Sequence, residues 1–525
     1  MRLRSIREAA PVHDGLVIAA IFVVALLPLL STPIFPFIDL YNHLARYFVL
    51  AHVKDSAILQ QYYAANWSLL PNIGLDVIGT AMVHVIPQAL MAHAVVALLF
   101  AVQYAGILYF NRALTGRTSP LVALLLVPLL YSFILNWGFA NFLLGLGLLF
   151  GGAGWWLAQR HRLALALPVA CLIAVVIFFT HGLCFALYGI LIVALEIGLW
   201  LSKPENRVVD LVRVLVPVAI QAILPVVLFL HAPTSATPGG LTNADESIVR
   251  LADHGELATR LLSLCLYRLT TIFRVEEGPS LAFDALTLVA QIVIVGALIA
   301  RRRAAIVRAA WPAIVAGVVL VIVVPPALFG VGYVADRMPL FLAMVIVGAL
   351  TVDPRGGRFG RAASGMLALI VTARLMAIAA GWQGYARDYT DFQHIARLLP
   401  ANSLVQDIVV GGAPRDGSDP RCLMYRPLLI SGYGQIGALF ADELKQPLRL
   451  TGRLRKAAAE LPTGRASGET RPGYYDEFIA RAGPAGFDYL LVCEPQRLTR
   501  PLPPGVAVVA RTQHMTLLTL HAARS

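Results

Sequence analysis

The sequence predicts an all-α polytopic membrane protein of about eleven transmembrane helices with a small soluble α/β domain at its C-terminus. Three observations predict it. The 525-residue chain is 58% hydrophobic and only 14% charged, whereas soluble domains carry roughly 25% charged residues. The apolar excess falls in blocks of about 17–22 residues, the length that crosses a hydrocarbon core of roughly 30 Å. After Gly381 the blocks stop, and helix-like and strand-like pieces alternate. Lipid offers no hydrogen bonds to an open backbone, so the apolar blocks must be helices.

The spans fall at residues 16–32, 89–111, 119–135, 138–158, 163–180, 183–201, 211–231, 281–300, 311–331, 338–352 and 362–381. The first follows a basic MRLRSIR segment and resembles a signal peptide. No small-residue cleavage site follows it, so it reads as an uncleaved span. Basic residues set the orientation. With Arg2, Arg4 and Arg7 in the cytoplasm, the inner loops hold Arg112 and Arg117, Arg160 and Arg162, Lys203 and Arg207, Arg301 to Arg303, and Arg355 to Arg361. Residues 1–381 then form a transmembrane domain with outer loops 33–88 and 232–280. Residues 382–525 form the α/β domain, also outside. Ile73 to Ile86 is too short for a span, carries Asp76 and His84, and reads as an interfacial or re-entrant helix.

The net charge of +12 sits in the loops between spans, with no basic stripe interleaved with aromatics, which argues against nucleic acid as a partner. The five cysteines show no metal spacing. Cys171 and Cys184 read as packing residues. Cys422 and Cys493 share the tail and can pair if it is exported.

The most informative stretch is PFIDLYNHLARYFVLAHV in the first outer loop. Pro36 is expected to open a helix with Asp39 in its first turn. Asp39, His43 and Arg46 then share one face, with Asn42 beside them. Such a set can deprotonate a hydroxyl, hold a cation or bind phosphate. It can equally be the wet face of an interfacial helix. His181, between two spans, is a ligand candidate or a hydrogen-bonded packing residue. Asp336 and Arg337 stand at another outer mouth, where arginine can clamp a lipid phosphate, pair with the aspartate or snorkel to headgroups. Asp76 and His84 are expected either to face one cavity or to pack. These polar groups all fall on the outer side. No acidic or histidine chain runs through the spans, Glu196 near the inner end being the main exception, so a proton-driven transporter is disfavoured.

The order of parts resembles the GT-C superfamily of membrane glycosyltransferases, which includes lipid A aminoarabinose transferases and protein O-mannosyltransferases. The stretch DLYNHLAR, Asp39 to Arg46, is similar to the family's acidic first-loop element. YYAANWSLLPNIGLD is similar to a stretch in bacterial membrane proteins of this general type. The resemblance implies a bacterial inner-membrane enzyme that moves a sugar from a polyprenyl-phosphate lipid to an envelope glycan, lipid or protein acceptor at the periplasmic face. It implies Asp39 as general base, His43 assisting, and Asn42, Arg46, His181, Asp336 and Arg337 around the substrate. A common family pattern has two acidic residues close together in that loop. Here His43 follows Asp39 instead, so a divalent metal is not indicated and the cofactor stays open. Two rival functions remain, a lipid or solute transporter and a non-catalytic assembly protein of envelope polysaccharide synthesis.

Overall fold

A computed structural model describes residues 12–205, 207–236, 257–328, 331–353, 357–409, 424–441, 445–462, 474–493 and 501–521. The chain is mostly helical. Among the described residues eight helices are long and apolar enough to cross a membrane: His13–Ser31, Gln88–Thr115, Ala140–Gln159, Leu163–Thr180, Gly182–Leu201, Val208–His231, Leu281–Ala300 and Gly357–Ala396. It is a multi-pass membrane protein. Three expected spans are shorter helices, Pro120–Leu130, Trp311–Val323 and Arg337–Gly348. Each has a local stop. Pro128 closes the first, Pro325-Pro326 follows the second, and Gly348 leads into a strand, Leu350–Val352, paired antiparallel with Ala304–Ile306.

The chain divides into two compact units. The membrane unit comprises Met1–Leu30, Val96–Leu135 and Ala140–Gly381. One close helix crossing is made by glycines, as expected where helices pack without a hydrophobic driving force. A Cβ on Gly106 would lie 2.2 Å from the Gly147 carbonyl oxygen, and one on Gly147 would lie 2.6 Å from the Gln103 nitrogen. Asn111 Nδ2 donates to the Gly348 and Leu350 carbonyls at 3.0 and 2.9 Å, holding the end of Arg337–Gly348. The loop expected at 232–280 contains a 17-residue helix, Leu257–Phe273. Its apolar residues alternate with Arg260 and Arg268, which hid it from a search for uncharged spans.

The second unit comprises Ser31–Val95, Asn136–Phe139 and Trp382–Ser525. The segment Ser31–Val95 therefore folds with the C-terminal region rather than as a loop of the transmembrane domain. Two observations explain this. Tyr63–Ala65 pairs antiparallel with Leu448–Leu450, and Ala45, Val49, Val53 and Tyr63 share a core with Leu404, Leu448, Leu454, Phe478 and Leu490. The four-stranded sheet runs in the order Val405–Val409, Tyr489–Cys493, Met515–Thr519, Ala507–Arg511. Only its first pair is parallel. Helices Tyr425–Tyr433, Gly452–Glu460 and Tyr474–Ala485 complete the α/β region. The piece expected to begin at Tyr389 is the end of one 40-residue helix, Gly357–Ala396. Cys493 is disulfide-bonded. Cys422 lies outside the described residues.

Candidate functional site

In the second unit, Pro36 does not open the helix. The helix is Leu40–His52, with Asp39 at the position before its first turn. Asp39 is held there through its backbone. The amides of Ile38 and Asp39 donate to the Asn136 and Trp137 carbonyls at 3.0 and 2.9 Å. Gly138 makes that approach feasible: its φ is +77°, and a Cβ there would lie 2.4 Å from the Leu40 nitrogen. The Asp39 side chain is half-buried.

The remainder of the expected face is not wet. Asn42, His43 and Arg46 are all buried, Arg46 completely. Arg46 Nε donates to Asp76 Oδ1 at 2.6 Å, Nη1 to Gln446 Oε1 at 2.7 Å, and Nη2 lies 2.9 Å from His43 Nδ1. A guanidinium only donates, so His43 Nδ1 is the acceptor and a neutral ring carries its proton on Nε2. Burial first, and the Arg46 charge second, holds the His43 pKa well below the ordinary imidazole value. His43 is thus a neutral donor at Nε2, flanked by Phe440 edge-on at 6.0 Å. Arg46 is tied to Asp76 and positions His43, which corrects its expected part in binding phosphate. Asp76 is fully buried while His84 is exposed, so the two do not face one cavity. The sequence left Asp76 between cavity and packing, and its partnership with Arg46 needed the fold.

In the membrane unit, His181 lies between the Leu163–Thr180 and Gly182–Leu201 helices in an extended conformation. Phe142 joins it to Arg337. The His181 ring meets Phe142 edge-on at 5.4 Å, and the Arg337 Cζ lies 5.3 Å from the centre of the Phe142 ring. Both His181 and Arg337 are buried, and His181 Nδ1 makes no hydrogen bond. Gly145 leaves room for His181 and Cys184, since a Cβ there would lie 3.2 Å from the His181 Cβ and 2.9 Å from the Cys184 Sγ. Asp336 Oδ2 accepts from the Tyr267 hydroxyl at 2.7 Å. A buried imidazole beside a buried guanidinium on an aromatic floor can receive an anion.

The membrane unit also holds a buried charged cluster that corrects the expectation of spans without ionisable chemistry. Arg374 Nη1 lies 2.9 Å from Asp284 Oδ1, and Arg374 Nε lies 3.5 Å from Glu276 Oε2. Gln291 Nε2 donates to Glu276 Oε2 at 2.7 Å. Asp284 and Arg374 were each visible as charges within apolar blocks, a signal in itself. Their convergence was not visible. Glu196, the exception noted in the sequence, is satisfied by Trp156 Nε1 at 2.8 Å and by Arg160.

Among the described residues no three His, Cys, Asp or Glu side chains converge as a metal-ligand set. No protein-family model matches the chain, and no curated protein matches it.

Proposed function

We propose that the protein is a GT-C-like glycosyltransferase of the bacterial inner membrane. It moves a sugar from a polyprenyl-phosphate lipid to an envelope glycan, lipid or protein acceptor. The observation that carries this reading is the meeting of His181 and Arg337 across Phe142. Residues far apart in sequence thereby form a buried basic site inside the membrane unit. A lipid-linked phosphate is the anion that reaches such a site from the bilayer, and poor solvation there strengthens its contact with the guanidinium. Asp39, half-buried on a rigid support, is assigned to accept the proton of the acceptor hydroxyl. The His43 Nε2–H is assigned an orienting hydrogen bond.

The reading includes about eleven crossings, counting the three short helices, with the N-terminus cytoplasmic and the second unit periplasmic. The basic inner loops support that orientation. So does the disulfide at Cys493, since such bonds persist in oxidising compartments.

The test is transfer from a synthetic polyprenyl-phosphate sugar by purified protein in nanodiscs. The acceptor is first found by mass spectrometry of envelope glycolipids and polysaccharides with and without the protein. Asp39→Asn should lower kcat by about 10²–10⁴-fold with unfolding unchanged. Arg337→Gln should raise KM for the lipid donor. Full turnover by Asp39→Asn would remove the assignment.

A further inference from the structure

The buried cluster in the membrane unit has unequal charge. Arg374 is one cation, and Asp284 and Glu276 are two carboxylates, each about 2% exposed or less at the side chain. Asp284 takes the closer contact with the guanidinium, at 2.9 Å, and its Oδ2 also accepts the Gly278 amide at 2.8 Å. Glu276 stands 3.5 Å from the guanidinium and is otherwise held by the neutral Gln291. Arg374 Nη1 also donates to Thr287 Oγ1 at 2.5 Å. The nearest other charges on the same link, Arg274 and Glu277, pair with each other at 3.0 Å and cancel. One negative charge is therefore left over in a buried site, which is costly for an ionised carboxylate.

A second observation points to what the cluster takes up. Asp284 Oδ1 is buried and faces the guanidinium at 2.9 Å, in an ion pair without an aligned hydrogen bond. Gly278 leaves that side open, since a Cβ there would stand 2.9 Å from Asp284 Oδ1. The cluster thus holds a surplus negative charge and an acceptor oxygen met only by an ion pair without an aligned hydrogen bond.

We infer that Glu276, with Asp284, Arg374 and Gln291 around it, is a proton-binding site of the membrane unit. The bound species is a single proton taken from water. It converts the Glu276 carboxylate to the neutral acid and brings the cluster from one net negative charge to none. The acid so formed has an O–H, and an acceptor oxygen is present on Asp284. Burial pushes the Glu276 carboxyl up to about 7 against the opposing pull of Arg374 and Gln291. The site changes charge within the physiological range and does not depend on the glycosyl-transfer reading.

The experiment follows the protonated-carboxyl C=O stretch by infrared difference spectroscopy on the full-length protein in nanodiscs, from about pH 5 to about pH 9. Wild type should lose one carboxyl band with a midpoint near neutrality, and Glu276→Gln should lack that band. Two milder variants test the same site if Glu276→Gln does not fold. Gln291→Leu removes a donor to the carboxylate and should move the midpoint up by about one unit. Asp284→Asn removes a like charge and should move it down. No titrating carboxyl in that range, a band retained in Glu276→Gln, or two shifts of the same sign would overturn the proposal. A midpoint that moves with sodium concentration would also overturn it, by showing a metal cation as the ligand.

Discussion

The two units each bury a guanidinium against carboxylate, and they balance it differently. In the second unit Arg46 meets a single acid, Asp76, and fills its remaining contacts with neutral partners, His43 and Gln446. In the membrane unit Arg374 meets two acids, Asp284 at 2.9 Å and Glu276 at 3.5 Å. A one-to-one pair has no reason to change its protonation and acts as a pin between helices. An unequal set sits close to exchanging a proton, because that exchange removes the surplus charge. Both clusters are equally hidden from solvent, so charge count separates them and burial does not.

The largest test of this contrast is removal of the pin. Arg46→Ala leaves Asp76 buried without its cation and should cost about 3–5 kcal/mol of stability, read from thermal or denaturant unfolding. The double variant Arg46→Met with Asp76→Leu should recover most of that loss. If the single variant were neutral, Arg46 and Asp76 would not be the structural pair described.

Glycines give a smaller test, because they serve different ends in the two units. Gly106→Ala places a Cβ against the Gly147 backbone of a second span, where neither helix can yield. It should cost about 1–3 kcal/mol. Gly138→Ala strains a left-handed residue and presses on the Leu40 and Asp39 nitrogens. Its cost should be similar, but under the proposed transfer reading it should also lower kcat, which Gly106→Ala leaves alone. Equal effects on kcat would remove the distinction.

The smallest test is pH. His43 is held neutral in the folded state, with a pKa below its unfolded value. Below about pH 6.5 the unfolded chain therefore binds a proton that the native state does not. Stability should fall with acidification, from His43 alone by about 1.4 kcal/mol per pH unit until the folded pKa is reached. His43→Gln should flatten that slope when unfolding is measured from pH 7 downward.

Much of the fold was legible in the sequence. Apolar blocks such as residues 163–180 and 281–300 became helices with nearly those bounds, because length and hydropathy alone define a span. Local stops were harder to read: Pro325 lies inside the block expected at 311–331, and the helix ends at Val323. The candidate site was legible as a list. Asp39, Asn42, His43 and Arg46 were visible together because helical spacing sets one face. What the face meets was not visible, since Asp76 lies 30 and Gln446 lies 400 positions from Arg46.

The sequence by itself determined that the chain is a multi-pass helical membrane protein, because apolar length and backbone satisfaction in lipid leave no other form. It also determined which polar residues stand outside the apolar blocks. Only the tertiary structure decided that the segment Ser31–Val95 belongs with the C-terminal sheet. It also decided that Arg46 is bound to Asp76, and that Glu276, Asp284 and Arg374 share one site. The physical reason is the same in each case. Hydropathy is a property of a local stretch, whereas pairing of buried charges and strands depends on which distant segments meet.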